Sequence, residues 1–120
     1  MVELAGVRVL VVEDEAMIAM MMEAFLQDLG CEVVAIASRL DDAEEKARTM
    51  RIDVATLDVN LAGRLSYPVA ERLRLRGIPF LFATGYGTVG LPEAFTDVPV
   101  LSKPFSAGQL AGALRALTNA

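Results

Sequence analysis

The sequence predicts an α/β fold, in which five parallel strands form a doubly wound sheet with helices on both faces. Short apolar runs recur along the 120 residues, and segments with apolar residues at helical spacing lie between them. Helix-end signals, such as Gly30 and the pair Ser106 and Gln109, mark where these segments begin or end. Strands that alternate with helices form β-α-β units, whose right-handed crossovers produce a parallel sheet. A chain of this length fits one domain.

Three strands and two helices are predicted in the first half of the chain. The first strand is a predominantly apolar run, as is typical of strands buried on both faces of a parallel sheet. The first helix has apolar residues at spacings of three and four, and Gly30 lies where a left-handed C-cap is expected. In chain order the predicted elements are strand Val7–Val12, helix Glu15–Leu29, strand Cys31–Ser38, helix Asp41–Met50 and strand Ile52–Asp58.

A glycine-containing loop, Asn60–Ser66, is predicted to connect the third strand to the third helix. Ser66 and Pro68 are suited to an N-cap and an early helical position, so the helix is expected to begin there. Two further apolar runs predict the remaining strands. The elements predicted in this part are a helix from Ser66 to about Arg76 and strands Ile78–Thr84 and Val98–Ser102.

The fourth and fifth helices have very different sequence signals. Between Thr84 and Val98 the chain contains three glycines and a proline, so a fourth helix should be short, irregular or mobile. The last helix is clearly marked, because Ser106 and Gln109 form an S-x-x-Q capping box. Phe105 and Leu110 occupy the two positions of a hydrophobic staple before and inside this helix, which should run to about residue 117.

Composition excludes several classes of function. The net charge is −5, and the one dense basic run, Arg72–Arg76, suits the outer face of a helix, so nucleic-acid binding is not expected. Histidine is absent, which removes the commonest general base. The single cysteine, Cys31, excludes an intramolecular disulfide and is expected in the core. Neither a membrane span nor a secretory signal is recognisable, so we expect a cytoplasmic protein.

Polar residues follow four of the predicted strands at the point where each strand ends. They are Glu13 and Asp14 after the first strand, Asp58 at the end of the third, Thr84 after the fourth and Lys103 after the fifth. In an open α/β sheet, functional sites form outside the carboxyl ends of the strands. With strand order 2-1-3-4-5, the first and third strands are neighbours. We therefore expect three carboxylates, a hydroxyl and a lysine in one crevice.

Carboxylates held this close repel one another and need a cation. A site lined by a few hard oxygen ligands suits Mg²⁺, which keeps several waters and is often bound together with a phosphate. With the metal and Lys103 neutralising a transferred phosphoryl group, and Thr84 donating a hydrogen bond to it, Asp58 is suited to act as the nucleophile. Each residue alone has an ordinary structural interpretation, for example Glu13 and Asp14 as complements to a helix dipole.

At these residues the chain resembles the receiver domain of two-component response regulators. The resemblance covers residues 1–120: an acidic pair after the first strand, an acceptor Asp after the third, Thr or Ser after the fourth and Lys-Pro after the fifth. It implies a flavodoxin-like fold with strand order 2-1-3-4-5. It also implies that a histidine kinase or a phosphotransfer protein phosphorylates Asp58 with Mg²⁺, which switches partner binding. Such a domain catalyses only its own phosphorylation and dephosphorylation.

The same resemblance implies two further features. The backbone carbonyl of Asn60 would complete a metal site made by Glu13, Asp14 and Asp58. The peptide bond between Lys103 and Pro104 would be cis, which is otherwise a minority state of X-Pro bonds.

The motif FATGY at residues 82–86, together with KPF at 103–105, is similar to alphaproteobacterial FATGY-type receivers. These occur as single-domain regulators and attached to sensor kinases of the HWE kind, so an HWE kinase is a candidate donor. Many receivers have a switching Tyr or Phe three residues before the lysine, and here that position is Val100. Tyr86, two residues after Thr84, is our replacement candidate. The small Gly85 should leave room for an attacking water.

Two rival functions remain at the sequence level. A phosphatase of the haloacid-dehalogenase type also uses a strand-end Asp with Thr or Ser, Lys and Mg²⁺. Such enzymes have an acid two residues after the nucleophile, where this chain has Asn60. The other rival is a receiver-like module that binds its partner without phosphorylation. The initial Met and an end just after the last helix favour a stand-alone protein over a domain of a hybrid kinase.

Overall fold

A computed structural model describes residues 4–85 and 91–118. The helical elements and strands of these residues alternate as the sequence predicts, with an added pair of very short strands. The helices are α1 (Ala16–Asp28), α2 (Leu40–Thr49), α3 (Tyr67–Leu75) and α4 (Ala107–Thr118), with a 3₁₀ turn at Glu93–Phe95. The strands are β1 (Arg8–Val12), β2 (Glu32–Ala37), β3 (Val54–Asp58), β4 (Asn60–Leu61), β5 (Arg64–Leu65), β6 (Phe80–Thr84) and β7 (Val100–Ser102).

The main sheet has five strands in the order β2-β1-β3-β6-β7, and every neighbouring pair is parallel. This is the predicted order 2-1-3-4-5, because β6 and β7 are the fourth and fifth strands of this sheet. The first strand lies between the second and the third. The carboxyl ends of β1 and β3 are therefore adjacent, which brings the residues that follow these two strands together.

Strand β1 contributes to two separate cores because successive side chains of a strand point to opposite faces. Leu10 and Val12 pack with residues of α2 and α3 on one face of the sheet. Val9 and Val11 pack with residues of α1 and α4 on the other face. All four side chains are almost completely buried, which explains why the strand is apolar on both faces.

Most predicted helix boundaries agree with the structure to within a few residues. Gly30 follows α1 with φ +87°, the conformation expected of a left-handed C-cap. At the start of α4, the Ser106 amide donates to Gln109 Oε1 at 2.8 Å and the Gln109 amide donates to Ser106 Oγ at 3.1 Å. The capping box is thus confirmed. Ser66 is the N-cap of α3 and Pro68 lies in its first turn, as predicted, although the Ser66 side chain makes no capping bond.

The segment Asn60–Ser66, predicted as a glycine-containing loop, contains a short hairpin. Strands β4 and β5 pair Asn60 with Leu65 and Leu61 with Arg64, and Ala62 and Gly63 form the turn between them. Both turn residues have positive φ angles, +50° and +88°, which is the geometry of a two-residue hairpin turn. We call residues 60–65 the acceptor hairpin, because they begin two positions after Asp58, the predicted acceptor.

The expected irregularity of the fourth helix is confirmed in the residues that can be described. Between β6 and β7 these residues contain a single 3₁₀ turn, Glu93–Phe95, in place of a regular helix. Arg74 of α3 holds this turn, since its guanidinium donates to the Ala94 carbonyl at 2.7 Å and lies 5.2 Å from the centre of the Phe95 ring. Cys31 is buried, as expected, and burial raises the pKa of its thiol. No helix in the described part of the chain has the length and hydropathy to cross a bilayer.

Candidate functional site

The polar residues predicted to form a site do meet at the carboxyl edge of the main sheet. Glu13 and Asp14 follow β1, Asp58 is the last residue of β3, Thr84 is the last residue of β6 and Lys103 follows β7. Glu13, Asp14 and Asp58 each offer a carboxylate oxygen within 4.8 Å of the others. Parallel strands place their carboxyl ends at one edge, so residues far apart in sequence become neighbours.

Lys103 is the cation of this cluster. Its ammonium donates to Glu13 Oε1 at 2.8 Å and lies 3.3 Å from Asp58 Oδ2. Its backbone amide donates to the Thr84 carbonyl at 2.9 Å, so the residues that end β6 and follow β7 are joined directly. The Lys103–Pro104 peptide bond is cis, the geometry that the resemblance implies.

Burial makes the charges of the cluster interact strongly. Glu13 is 1% exposed and Asp58 is 8% exposed. Burial, and then the neighbouring Glu13 carboxylate, raise the pKa of Asp58 to about 7, while the Lys103 ammonium opposes this rise. Burial lowers the pKa of Lys103, but the hydrogen bond with Glu13 and the attraction of Asp58 outweigh it, so this pKa is raised. The Lys103 ammonium thus pairs with two of the three clustered carboxylates, those of Glu13 and Asp58.

A cavity of about 630 Å³ opens beside the cluster. Asp58, Thr84 and Lys103 line it together with Asp14, so all three predicted catalytic residues reach the same space. Polar and apolar residues share the walls. The other lining residues are Glu15, Ile18, Met21, Asn60, Ala62, Gly63, Gly85, Pro104 and Phe105.

The acceptor hairpin forms one wall of this cavity and is bonded to the cluster. The Ala62 amide donates to Asp14 Oδ2 at 2.9 Å, and the Gly63 amide donates to Asn60 Oδ1 at 2.7 Å. The Asn60 amide donates to Asp58 Oδ1 at 3.3 Å. The sequence did not predict that the Ala62 amide would bond to Asp14. The available signal was weak, because Ala-Gly lacks the asparagine or aspartate that usually marks such a turn.

The predicted switch residues are only partly described. Thr84 is 3% exposed, while Gly85 is exposed in the turn that follows it. A Cβ added at Gly85 would meet no atom within 4 Å, so the space at this position is open toward the cavity. Tyr86 lies outside the described residues. Val100, at the position of the usual switching aromatic residue, is half-buried in β7.

Residues 9–115 match the family model for the response regulator receiver domain. The chain therefore belongs to the receiver-domain family of response regulators, and the predicted family and fold are confirmed. Among curated relatives, it is 31% identical over 111 residues to the transcriptional regulatory protein PdtaR of Mycobacterium tuberculosis, covering 89% of this chain and 54% of that protein. It is 36% identical over 119 residues to DltR of Streptococcus agalactiae, covering 93% of this chain and 52% of DltR. The chain thus spans about half the length of these relatives.

Solved structures of similar length agree with this assignment. The solution structure of SdrG from Sphingomonas melonis Fr1 matches with a TM-score of 0.84 at 45% identity, covering 93% of this chain and 96% of that one. The BeF3-activated conformation of SdrG, solved under the source name Pseudomonas melonis Fr1, matches with a TM-score of 0.80 at 44% identity and covers 95% and 98% of the two chains. The sequence, the fold and the site therefore all support a receiver function in two-component signalling.

Proposed function

We propose that residues 1–120 form a receiver domain in which Asp58 accepts a phosphoryl group. The observation that supports this most directly is the position of Asp58. It ends β3 beside the cavity, 3.3 Å from the Lys103 ammonium and within 4.8 Å of the Glu13 and Asp14 carboxylates. A carboxylate next to a fixed cation at an open cavity is suited to nucleophilic attack on a phosphoryl group.

The donor set fits a magnesium ion. Glu13, Asp14 and Asp58 offer clustered carboxylate oxygens, of which the Lys103 ammonium pairs with those of Glu13 and Asp58. Hard oxygen ligands of this kind suit Mg²⁺. Glu13, Asp14, Asp58 and the backbone carbonyl of Asn60 would hold the ion. When bound, Mg²⁺ would neutralise negative charge on the phosphoryl oxygens.

The side chains of the cluster have distinct proposed roles. Asp58 must be ionised to attack phosphorus, forming an oxygen–phosphorus bond as the nitrogen–phosphorus bond of a phosphohistidine breaks. Lys103 then stabilises the charge that develops beside Asp58, and Thr84 donates a hydrogen bond to the transferred group. Thr84, Gly85 and Tyr86 form the proposed switch, in which Gly85 leaves room for the water that hydrolyses the acyl phosphate. The protein would catalyse only these two reactions on itself.

The proposed donor is a histidine kinase, with the HWE type as the candidate class, or a phosphotransfer protein. The BeF3-activated conformation of SdrG supports the phosphoacceptor role itself, because BeF3⁻ becomes tetrahedral, like a phosphoryl group, when a carboxylate oxygen binds it. The output is proposed to be a protein contact or the removal of phosphate from a relay, without nucleic-acid or membrane binding. We propose a cytoplasmic location, as for the kinase domains that would supply the phosphoryl group.

The decisive experiment is intact-mass spectrometry after incubation with Mg²⁺ and acetyl phosphate. Wild type should gain the mass of one phosphoryl group and Asp58→Asn should gain none. Asp53→Asn is the matched control, because Asp53 precedes the same strand at the opposite edge of the sheet and pairs with Arg8. It should be phosphorylated like wild type. If wild type gains no mass with small donors, transfer from a kinase is tested next. If it also gains none with several histidine kinases, the proposed function is wrong.

A further inference from the structure

The acceptor hairpin, residues 60–65, links β3 to the acidic pair that follows β1. Its first residue is two positions after Asp58, and its turn reaches Asp14, 48 positions away from Ala62 in sequence. The base of the hairpin is closed by a bond of 2.8 Å from the Ser66 amide to the Val59 carbonyl. The turn is therefore fixed at both ends.

The turn conformation aims a backbone donor at Asp14. Ala62 and Gly63 have φ angles of +50° and +88°, and in this conformation the Ala62 amide donates to Asp14 Oδ2 at 2.9 Å. The neighbouring Gly63 amide is bonded to the Asn60 side chain at 2.7 Å, which holds the turn in place. Asp14 lies at the cavity, so its carboxylate is oriented by the hairpin where a cation would bind.

We propose that the Ala62 amide positions Asp14 for metal binding. The amide holds one carboxylate oxygen of Asp14, which leaves the other oxygen for Mg²⁺. The inference rests on the proposed function, because it assumes that Asp14 is a metal ligand. A carboxylate has two oxygens and several lone pairs, so it can accept the amide and bind a cation together. Partners that orient a metal ligand in this way typically change metal affinity about 10- to 100-fold when they are removed.

Two glycines allow the hairpin contact to be tested against a matched control. Gly63 and Gly77 have φ angles of +88° and +71°, and a Cβ added at either would meet no atom within 4 Å. Substitution by alanine therefore strains the backbone at both positions without a new clash. Gly63 lies in the acceptor hairpin, whereas Gly77 follows α3 at the start of the connection to β6. Only Gly63→Ala should move the Ala62 amide.

The experiment is a Mg²⁺ titration of Gly63→Ala, Gly77→Ala and wild type, followed by amide chemical shifts, with thermal unfolding of each protein. We expect Gly63→Ala to bind Mg²⁺ about tenfold more weakly than wild type. Gly77→Ala should bind Mg²⁺ with an affinity within about twofold of wild type, although its melting temperature should fall about as far as that of Gly63→Ala.

The possible outcomes separate this inference from the proposed function. If wild type binds Mg²⁺ and Gly63→Ala binds equally well, the positioning role is wrong and the phosphoacceptor proposal stands. If wild type binds no Mg²⁺, both are wrong. If Gly63→Ala does not fold, a second measurement tests the contact. Hydrogen exchange of the Ala62 amide is compared between metal-free wild type and metal-free Asp14→Ala. At least tenfold faster exchange in the variant supports the contact, and an unchanged rate overturns it.

Discussion

The Lys103 ammonium donates a hydrogen bond of 2.8 Å to the Glu13 carboxylate across 90 positions of sequence. Glu13 is 1% exposed on its side chain and Lys103 is 14% exposed, so the pair lies almost completely inside the protein. This contact joins the end of β1 to the end of β7 at the two sides of Asp58. It therefore places one carboxylate and one ammonium beside the proposed acceptor, and these act on its pKa in opposite directions.

Removal of this cation should destabilise the protein strongly. In Lys103→Met, Glu13 and Asp58 lose their shared partner in a buried site, and the free energy of unfolding at pH 8 should fall by about 3 kcal/mol. Lys46→Met is the control, because Lys46, the other lysine of the chain, pairs with Asp42 at the surface of α2. That variant should lose less than about 1 kcal/mol. Urea unfolding of both proteins measures the difference, and equal losses would contradict a buried role for Lys103.

The raised pKa of Asp58 predicts that metal-free protein is less stable at high pH. Because the pKa is 3.8 for an ordinary Asp and about 7 in the fold, the folded state binds the proton more tightly. The contribution of Asp58 to stability is thus full below about pH 4 and is lost as pH rises through about 7. In Asp58→Asn this contribution no longer titrates, so its free energy of unfolding should exceed that of wild type at pH 8, on the order of 2 kcal/mol.

Urea unfolding between pH 4 and pH 8, in the presence of a chelator, tests this pH dependence. Asp53→Asn, a substitution at an exposed carboxylate, should follow wild type. Parallel curves for wild type and Asp58→Asn would show that Asp58 titrates alike in the folded and unfolded states.

Magnesium should reverse the effect of the crowded carboxylates. Addition of Mg²⁺ at about ten times its dissociation constant should raise the free energy of unfolding by about 1.4 kcal/mol. The increase should shrink in Asp14→Asn, because one of the three clustered carboxylates is then missing. Thermal unfolding with and without chelator measures it. A Ca²⁺ titration gives a comparison, and identical stabilisation of wild type and Asp14→Asn by Mg²⁺ would exclude Asp14 as a ligand.

Arg74 should stabilise the segment that precedes β7. Its guanidinium donates to the Ala94 carbonyl, pairs with Asp97 and lies over the Phe95 ring, an arrangement that a lysine does not reproduce. Arg74→Lys should lower the free energy of unfolding by about 1 kcal/mol. Exchange of the Phe95 and Thr96 amides should become faster. Arg72→Lys, at an exposed position of the same helix, should change neither stability nor exchange.

Local signals predicted much of this fold because they act within a few residues. The Ser106 and Gln109 capping box depends on one helical turn, and the apolar run of β1 depends on burial on both faces of the sheet. The position of Asp58 followed from the rule that sites form at strand ends. These features need only short sequence windows and the strand order.

Other features depend on contacts between distant residues and could not be predicted. The hairpin strands have two residues each, too few to show an alternating pattern, and Ala62 binds Asp14 through a backbone amide that every residue but proline has. The raised pKa of Asp58 depends on how deeply it is buried with Glu13. Ser66 suggested a side-chain cap, yet at this N-cap the structure records no bond from its hydroxyl to the helix.

The bond from the Lys103 amide to the Thr84 carbonyl also provides a convenient observation point. Amide proton shifts respond to small changes in hydrogen-bond length, and this amide joins the two strands that bear the proposed phosphoryl contacts. A displacement of the Thr84 backbone would therefore be recorded in the resonance of Lys103. In ¹⁵N-enriched protein, a single cross-peak of the nitrogen–proton spectrum would then report the state of the proposed switch.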